Sequence, residues 1–177
     1  RGDEHLPRRA TNEAPMEVAI VTVGDELLAG ETENTNATWL ARQLAERGVT
    51  VTRSLTIPDE RGLIAEYVRE WADDFDAVIV TGGLGDTPDD VTLDAVADAF
   101  DREMAVQPAV RERVAEKARR HREENPERYE AHDFDLNLDE TAALPEGASP
   151  LQTETSFNPG CVVENVYVFP GFPEELR

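Results

Sequence analysis

Apolar positions along this chain fall into two rhythms that alternate. Glu17 to Val23 (EVAIVTV) is a nearly unbroken β-branched run, the pattern of a strand buried on both faces. From Asn34 to Arg47, Ala37, Leu40, Ala41 and Leu44 recur at helical spacing, and Gly48 stands where helices commonly end. Val49 to Ile57 predicts a second strand, closed by Pro58. Roughly Glu60 to Ala72 predicts a second helix with Leu63, Ile64, Tyr67, Val68 and Trp71 on one face. Asp76 to Thr81 predicts a third strand, and Val91 to Phe100 a third helix with Leu93, Val96, Ala97 and Phe100 as its stripe. Three strand–helix units in succession predict an α/β fold of three layers, α/β/α, around a mostly parallel sheet.

The second half is less regular. Pro108 to about Arg128 reads as a long charged helix with a thin stripe from Val110, Val114 and Ala118. Acids four residues away, as in Glu116–Arg120 and Arg119–Glu123, neutralise its arginines, so a solvated face fits better than a nucleic-acid contact. His121 and His132 read as surface residues, and 125–139 as an irregular excursion. Leu144 to Ala148 suggests a turn before an edge strand near Leu151, and Asn158-Pro159-Gly160 another turn. Cys161–Val163 and Val166–Phe169 flank Glu164-Asn165, which predicts a small β-hairpin extension. Residues 1–15 show no apolar period and are read as a disordered extension or a cloning remnant. Residues 16–177 are read as one domain truncated at its C-terminus, since Glu174-Glu175-Leu176 is expected to begin a helix that is not completed.

Charge narrows the function classes. The chain has 38 acidic against 17 basic residues, a net charge of −21, which argues against nucleic acid and anionic membranes as partners. Acids occur in every segment, and Lys117 is the only lysine among the basic residues. Self-repulsion of this size is tolerable where salt screens it, since the Debye length is about 3 Å at 1 M. The surface therefore reads as adaptation to high salt, a halophilic trait. With Cys161 alone no internal disulfide can form, which favours a reducing, cytoplasmic setting. No stretch approaches a membrane span, and the three histidines form no zinc-type cluster.

Candidate chemistry gathers where the predicted strands end. In open parallel sheets ligands bind beyond the carboxyl ends of the strands. Two glycine loops lie there: Gly24 to Gly30 after the first strand, and Thr81-Gly82-Gly83-Leu84-Gly85 after the third. A glycine turn entering a helix offers backbone N–H groups and a positive helix end to an anion. Asp86, Asp89 and Asp90 follow the second loop, and Asp25 and Glu26 sit in the first. A phosphate about 5 Å from one carboxylate is repelled by roughly 3 kcal/mol at an effective dielectric near 20. A divalent cation held by one or two carboxylates and by the phosphates removes that conflict. A structural account stands beside this one: Thr87 caps the third helix, Pro88 occupies its first position, and Asp89 and Asp90 complement its dipole.

The loops also carry a family resemblance. Gly24-Asp25-Glu26-Leu27-Leu28-Ala29-Gly30 followed by Asn34-Thr35-Asn36-Ala37-Thr38-Trp39-Leu40 resembles a signature of the CinA proteins, competence/damage-inducible proteins with an N-terminal molybdopterin-binding (molybdenum-cofactor biosynthesis) domain. Thr81 to Thr92 is similar to their TGGLGPTxDDxT. Leu144–Ala148, Asn158-Pro159-Gly160 and Phe169-Pro170-Gly171-Phe172-Pro173 echo later elements of the family. The resemblance implies a molybdopterin-binding-domain-like fold and metal-dependent hydrolysis of nucleotide diphosphates, a pyrophosphatase acting on ADP-ribose or FAD-like dinucleotides. The alternative it carries is a module that binds molybdopterin or another pterin phosphate without hydrolysis. It assigns Asp90 and Asp89 to catalysis, and Asp86, Asp89 and Asp90 to a divalent metal (Mg, Mn or Co). Gly24, Asp25, Glu26, Asn34, Asn36, Thr81, Gly82, Gly83, Gly85 and Thr87 would bind the substrate or its phosphates. Leu84 and Asp89 stand where the similar molybdopterin adenylyltransferases have threonine and arginine, and Asn34 where they have an acid, which disfavours adenylyl transfer. Partners implied are a nucleotide- or pterin-phosphate small molecule and further copies of the chain, as a dimer or trimer.

Overall fold

Strand β1 (Glu17–Val23) is buried along all but its first residue because it lies inside a sheet, with β2 (Thr50–Ile57) on one side and β3 (Ala77–Thr81) on the other. A computed structural model describes residues 16–85, 90–124, 136–151 and 156–171. The main sheet has six strands in the order β2-β1-β3-β8-β7-β6, completed by β6 (Ser149–Leu151), β7 (Gly160–Val163) and β8 (Val166–Phe169). Pairing is parallel from β2 through β8 and antiparallel at β8–β7 and β7–β6. The expected hairpin is present, with Glu164 at φ 51 in its turn. It widens the main sheet. Asn165 donates from its side chain to the carbonyls of Ala72 and Phe75 at 2.9 Å each, tying that turn to the end of α3 (Arg61–Asp74).

The two sheet faces are covered unequally. On one, α2 (Thr35–Glu46) packs Leu40 and its neighbours Ala37, Ala41 and Leu44 against Val18, Ile20 and Ile79. On the other, α3, α4 (Thr92–Ala99) and α5 (Pro108–Glu124) cover Val21, Val23, Val78 and Val80. Strand alternation explains the division: successive side chains of β1 and β3 point to opposite faces. Ile64, Val68 and Val96 are fully enclosed there, and burial of each such side chain stabilises by about 1.5–3 kcal/mol.

Three local expectations are corrected, and one short strand pair is additional to those expected. The Gly24–Gly30 loop contains a single helical turn, α1 (Asp25–Leu28). Helix α4 begins at Thr92 with Val91 in the cap position and no side-chain cap, so Asp90 lies outside its first turn; Thr87, Pro88 and Asp89 lie outside the described residues. A three-residue strand, β4 (Met104–Val106), pairs antiparallel with β5 (Ala143–Pro145). It is too short to show a period. In the stretch read as irregular, Asn137 caps α6 (Leu138–Thr141) by accepting from the Glu140 N–H. Residues 1–15, and His132 within the rest of that excursion, lie outside the described residues.

Strand register places the site. Val23 pairs with Ile57 and Thr22 with Thr81, so β1, β2 and β3 end side by side. Thr81 in turn pairs with Phe169. Gly24, Pro58-Asp59, Gly82 and Pro170-Gly171 therefore leave the sheet at one edge.

Candidate functional site

At that edge lies a cavity of about 560 Å³, within the range of small-molecule sites. Gly24, Glu26, Asn34 and Asn36 line it from the first loop, and Thr81, Gly82, Gly83, Gly85 and Asp90 from the second. Nine residues expected from sequence are thus brought together. Asp25 is not among them: its side chain is exposed, and its N–H donates to the Asp59 carboxylate at 2.9 Å. Asp86, Thr87 and Asp89 lie outside the described residues.

Close backbone packing builds the second loop. Gly82 has φ +105, and a Cβ there would stand 2.1 Å from the Val23 carbonyl oxygen, so only glycine fits between the ends of β1 and β3. The Gly82 N–H donates to the Phe169 carbonyl at 3.3 Å. Leu84 lines the cavity as well and is buried with the core cluster that packs under α3 and α4, which anchors the turn. The Asp90 carboxylate reaches back over Gly85, 2.4 Å from where a Cβ would be.

Polar side chains in the walls divide into those spent on structure and those facing inward. Asn34 caps α2 by accepting from the Ala37 N–H at 3.1 Å. Its amide donates to the hydroxyls of Thr22 and Thr56, at 2.8 and 3.1 Å. Its role is to fasten α2 to the sheet. The Asn36 amide donates to Gly171 O at 2.5 Å, and the Thr81 hydroxyl to Pro170 O at 2.8 Å. These two bonds hold the Pro170-Gly171 turn over the glycine loop. Asn36 Oδ1 and Thr92 Oγ1 are buried without a hydrogen-bond partner among the described residues. An unmet buried polar atom costs about 1–3 kcal/mol, which a bound ligand can relieve.

Asp59 is the site residue that sequence reading missed. It follows Pro58 at the end of β2, and the β1–β2 register carries it into the cavity wall beside Glu26 and Asp90. Its Oδ1 lies 3.1 Å from the position of a Gly83 Cβ, and Thr92 Oγ1 lies 2.4 Å from the same point. The available signal was an acid at the carboxyl end of a predicted strand.

Every charged side chain among the described lining residues is a carboxylate: Glu26, Glu33, Asp59 and Asp90. Among the described residues no three His, Cys, Asp or Glu side chains form a metal cage. Mg²⁺ does not require one, because it is commonly held by one or two carboxylates together with substrate phosphates. The hard oxygen donors of Asp59 and Asp90 fit such an ion.

A family model described as a probable molybdopterin binding domain matches residues 19–177, and the chain belongs to that family. The CinA-type resemblance read from the sequence is also borne out. A CinA-like protein of Frankia casuarinae is 38% identical over 170 residues, covering 92% of this chain and 37% of the relative. A protein of Archaeoglobus fulgidus is 36% identical over 162 residues, covering 92% and 65%. The chain thus spans between about a third and two thirds of these relatives' length. Among solved structures, the protein CinA, of unknown function, from Thermoplasma acidophilum superposes with a TM-score of 0.76 at 26% identity, covering 91% of each chain. The molybdopterin biosynthesis enzyme MoaB of Thermus thermophilus shares the fold, with a TM-score of 0.57 at 23% identity, covering 92% of this chain and 85% of MoaB. In the described residues no helix is long and apolar enough to cross a membrane.

Proposed function

We propose that this domain is a metal-dependent pyrophosphatase acting on a nucleotide diphosphate of the ADP-ribose or FAD type. One observation carries the reading: a nucleotide-sized cavity between two glycine loops whose charged walls, in the described residues, are all acidic. Uncompensated, such walls repel a diphosphate by roughly 3 kcal/mol per carboxylate at about 5 Å and an effective dielectric near 20. Asp90 and Asp59 would hold a divalent cation, Mg²⁺, Mn²⁺ or Co²⁺, with Asp86 and Asp89 as further candidate ligands. When bound, such an ion screens the phosphates and polarises the phosphorus centre. Gly83 to Gly85 would supply backbone donors to the diphosphate, since the Gly82 N–H is spent on Phe169. Asn36 would accept from the ligand through its unpartnered Oδ1. Thr81 and Asn34 support these groups from behind.

A second reading, binding of molybdopterin or a related pterin phosphate without hydrolysis, is equally consistent with the family description, a probable molybdopterin binding domain. The two separate in one assay. ADP-ribose and FAD are incubated with Mg²⁺, Mn²⁺ or Co²⁺ and wild-type protein or Asp90→Ala. Turnover lost in the variant supports hydrolysis, and equal turnover in both removes it. No turnover combined with tight, metal-independent pterin binding supports the second reading.

A further inference from the structure

The buried stripe of α5 starts with Val110 and Val114 and continues at helical spacing to Lys117 and His121, both half-buried. His121, read from sequence as a surface residue, is partly covered. Its ring meets Phe157 edge to face, with centroids 5.6 Å apart at 86°. The Lys117 ammonium sits 5.4 Å from the centroid of the same ring and donates a hydrogen bond to the Ser156 carbonyl. Buried Ser156 passes the contact on, its hydroxyl donating to the Asn158 carbonyl at 3.0 Å. Two residues further, Gly160 packs so closely on β8 that a Cβ would stand 2.2 Å from the Val168 carbonyl oxygen. Asn158 is thus held between two anchors, and it lines the cavity.

We propose that Lys117 is a positioning residue, which with His121 and Phe157 fixes the Ser156–Asn158 segment so that Asn158 forms a wall of the ligand site. The effect on ligand rests on the reading of the cavity as a nucleotide- or pterin-phosphate site. Lys117 is the chain's only lysine. A compact ammonium with three donors can serve a carbonyl and an aromatic face together. Asn158 then presents an amide, both donor and acceptor, to whatever lies beyond the phosphates. A long helix that sequence alone marks as a solvated surface becomes part of the site's support.

The test compares wild type, Lys117→Met and Lys117→Arg. In ligand-free protein, Lys117→Met speeds amide hydrogen exchange across residues 156–160 by at least about fivefold while the urea midpoint stays unchanged. With Mg²⁺ present, calorimetry shows ADP-ribose binding weakened at least about fivefold. Lys117→Arg, which keeps the charge and donors, restores both. Unchanged exchange in Lys117→Met overturns the proposal, as does faster exchange with unchanged affinity, or failure of arginine to restore either. If wild type itself does not bind ADP-ribose, the ADP-ribose reading of the cavity falls. The positioning role is then decided by the exchange and its rescue alone.

Discussion

Replacing Gly82 by alanine tests how the floor of the site is built. An alanine at φ +105 costs about 1–2 kcal/mol in backbone strain. Its Cβ would also meet the Val23 carbonyl oxygen at 2.1 Å, and overpacking of this kind costs about 1–3 kcal/mol more. The loss is therefore about 2–5 kcal/mol, large against a typical total of about 5–15 kcal/mol. Gly30→Ala is the control, since Gly30 has φ +73 and nothing within 4 Å of the added atom. It carries the backbone strain alone, about 1–2 kcal/mol. For a urea slope of about 2–3 kcal/mol per molar, the midpoint of Gly82→Ala falls roughly 0.3–1.5 M below that of Gly30→Ala. The transition is read from tryptophan fluorescence, with Trp71 packed against one core cluster and Trp39 against the other. Equal midpoints for the two variants would refute the close approach of β1 and β3 at the glycine loop.

Three further outcomes follow from named contacts. Thr92→Val removes a fully buried hydroxyl that lacks a partner among the described residues and leaves the urea midpoint equal or higher; a loss above about 1 kcal/mol would mean that the hydroxyl is satisfied. Burial pushes the Cys161 thiol up to about 12, so a disulfide exchange reagent reacts with it in urea and only slowly in native protein; equal rates would contradict its enclosure. Hydrogen bonding to Arg61, at 2.6 and 2.8 Å, holds the Asp98 carboxyl below its ordinary 3.8. A depressed folded value stabilises above the unfolded one and is lost as pH falls through it. The stability gap between wild type and Asp98→Asn is therefore level near neutral pH, closes in acid, and shrinks with salt, since both side chains are half exposed; a gap that widens in acid would reverse the assignment.

Legibility from sequence followed the range of the interactions. Strand β1 was readable to the residue because a strand covered on both faces needs an unbroken apolar run. The glycines at 82, 83 and 85 were readable because tight turns and close approaches leave few alternatives. Asn34 lines the cavity, but its work on Thr22 and Thr56 was hidden. Those two hydroxyls meet at 2.9 Å only because β1 and β2 pair in that register. Asp59 was missed for the same reason. The start of α4 was readable to one residue from the apolar run at Val91, but its lack of a side-chain cap was not, because capping depends on local geometry. Lys117 and His121 were hidden by the surrounding charge, whose solvated pattern masks a half-buried continuation of the Val110–Val114 stripe.

The central claim is that a cavity walled by carboxylates takes a phosphorylated ligand only together with a divalent cation. Calorimetric titration of wild-type protein with ADP-ribose, in Mg²⁺ and then in EDTA at equal ionic strength, tests it directly. Repulsion of roughly 3 kcal/mol from even one nearby carboxylate, reduced by solvent, predicts binding at least about tenfold tighter with Mg²⁺. Binding that is equally tight or tighter in EDTA would contradict it.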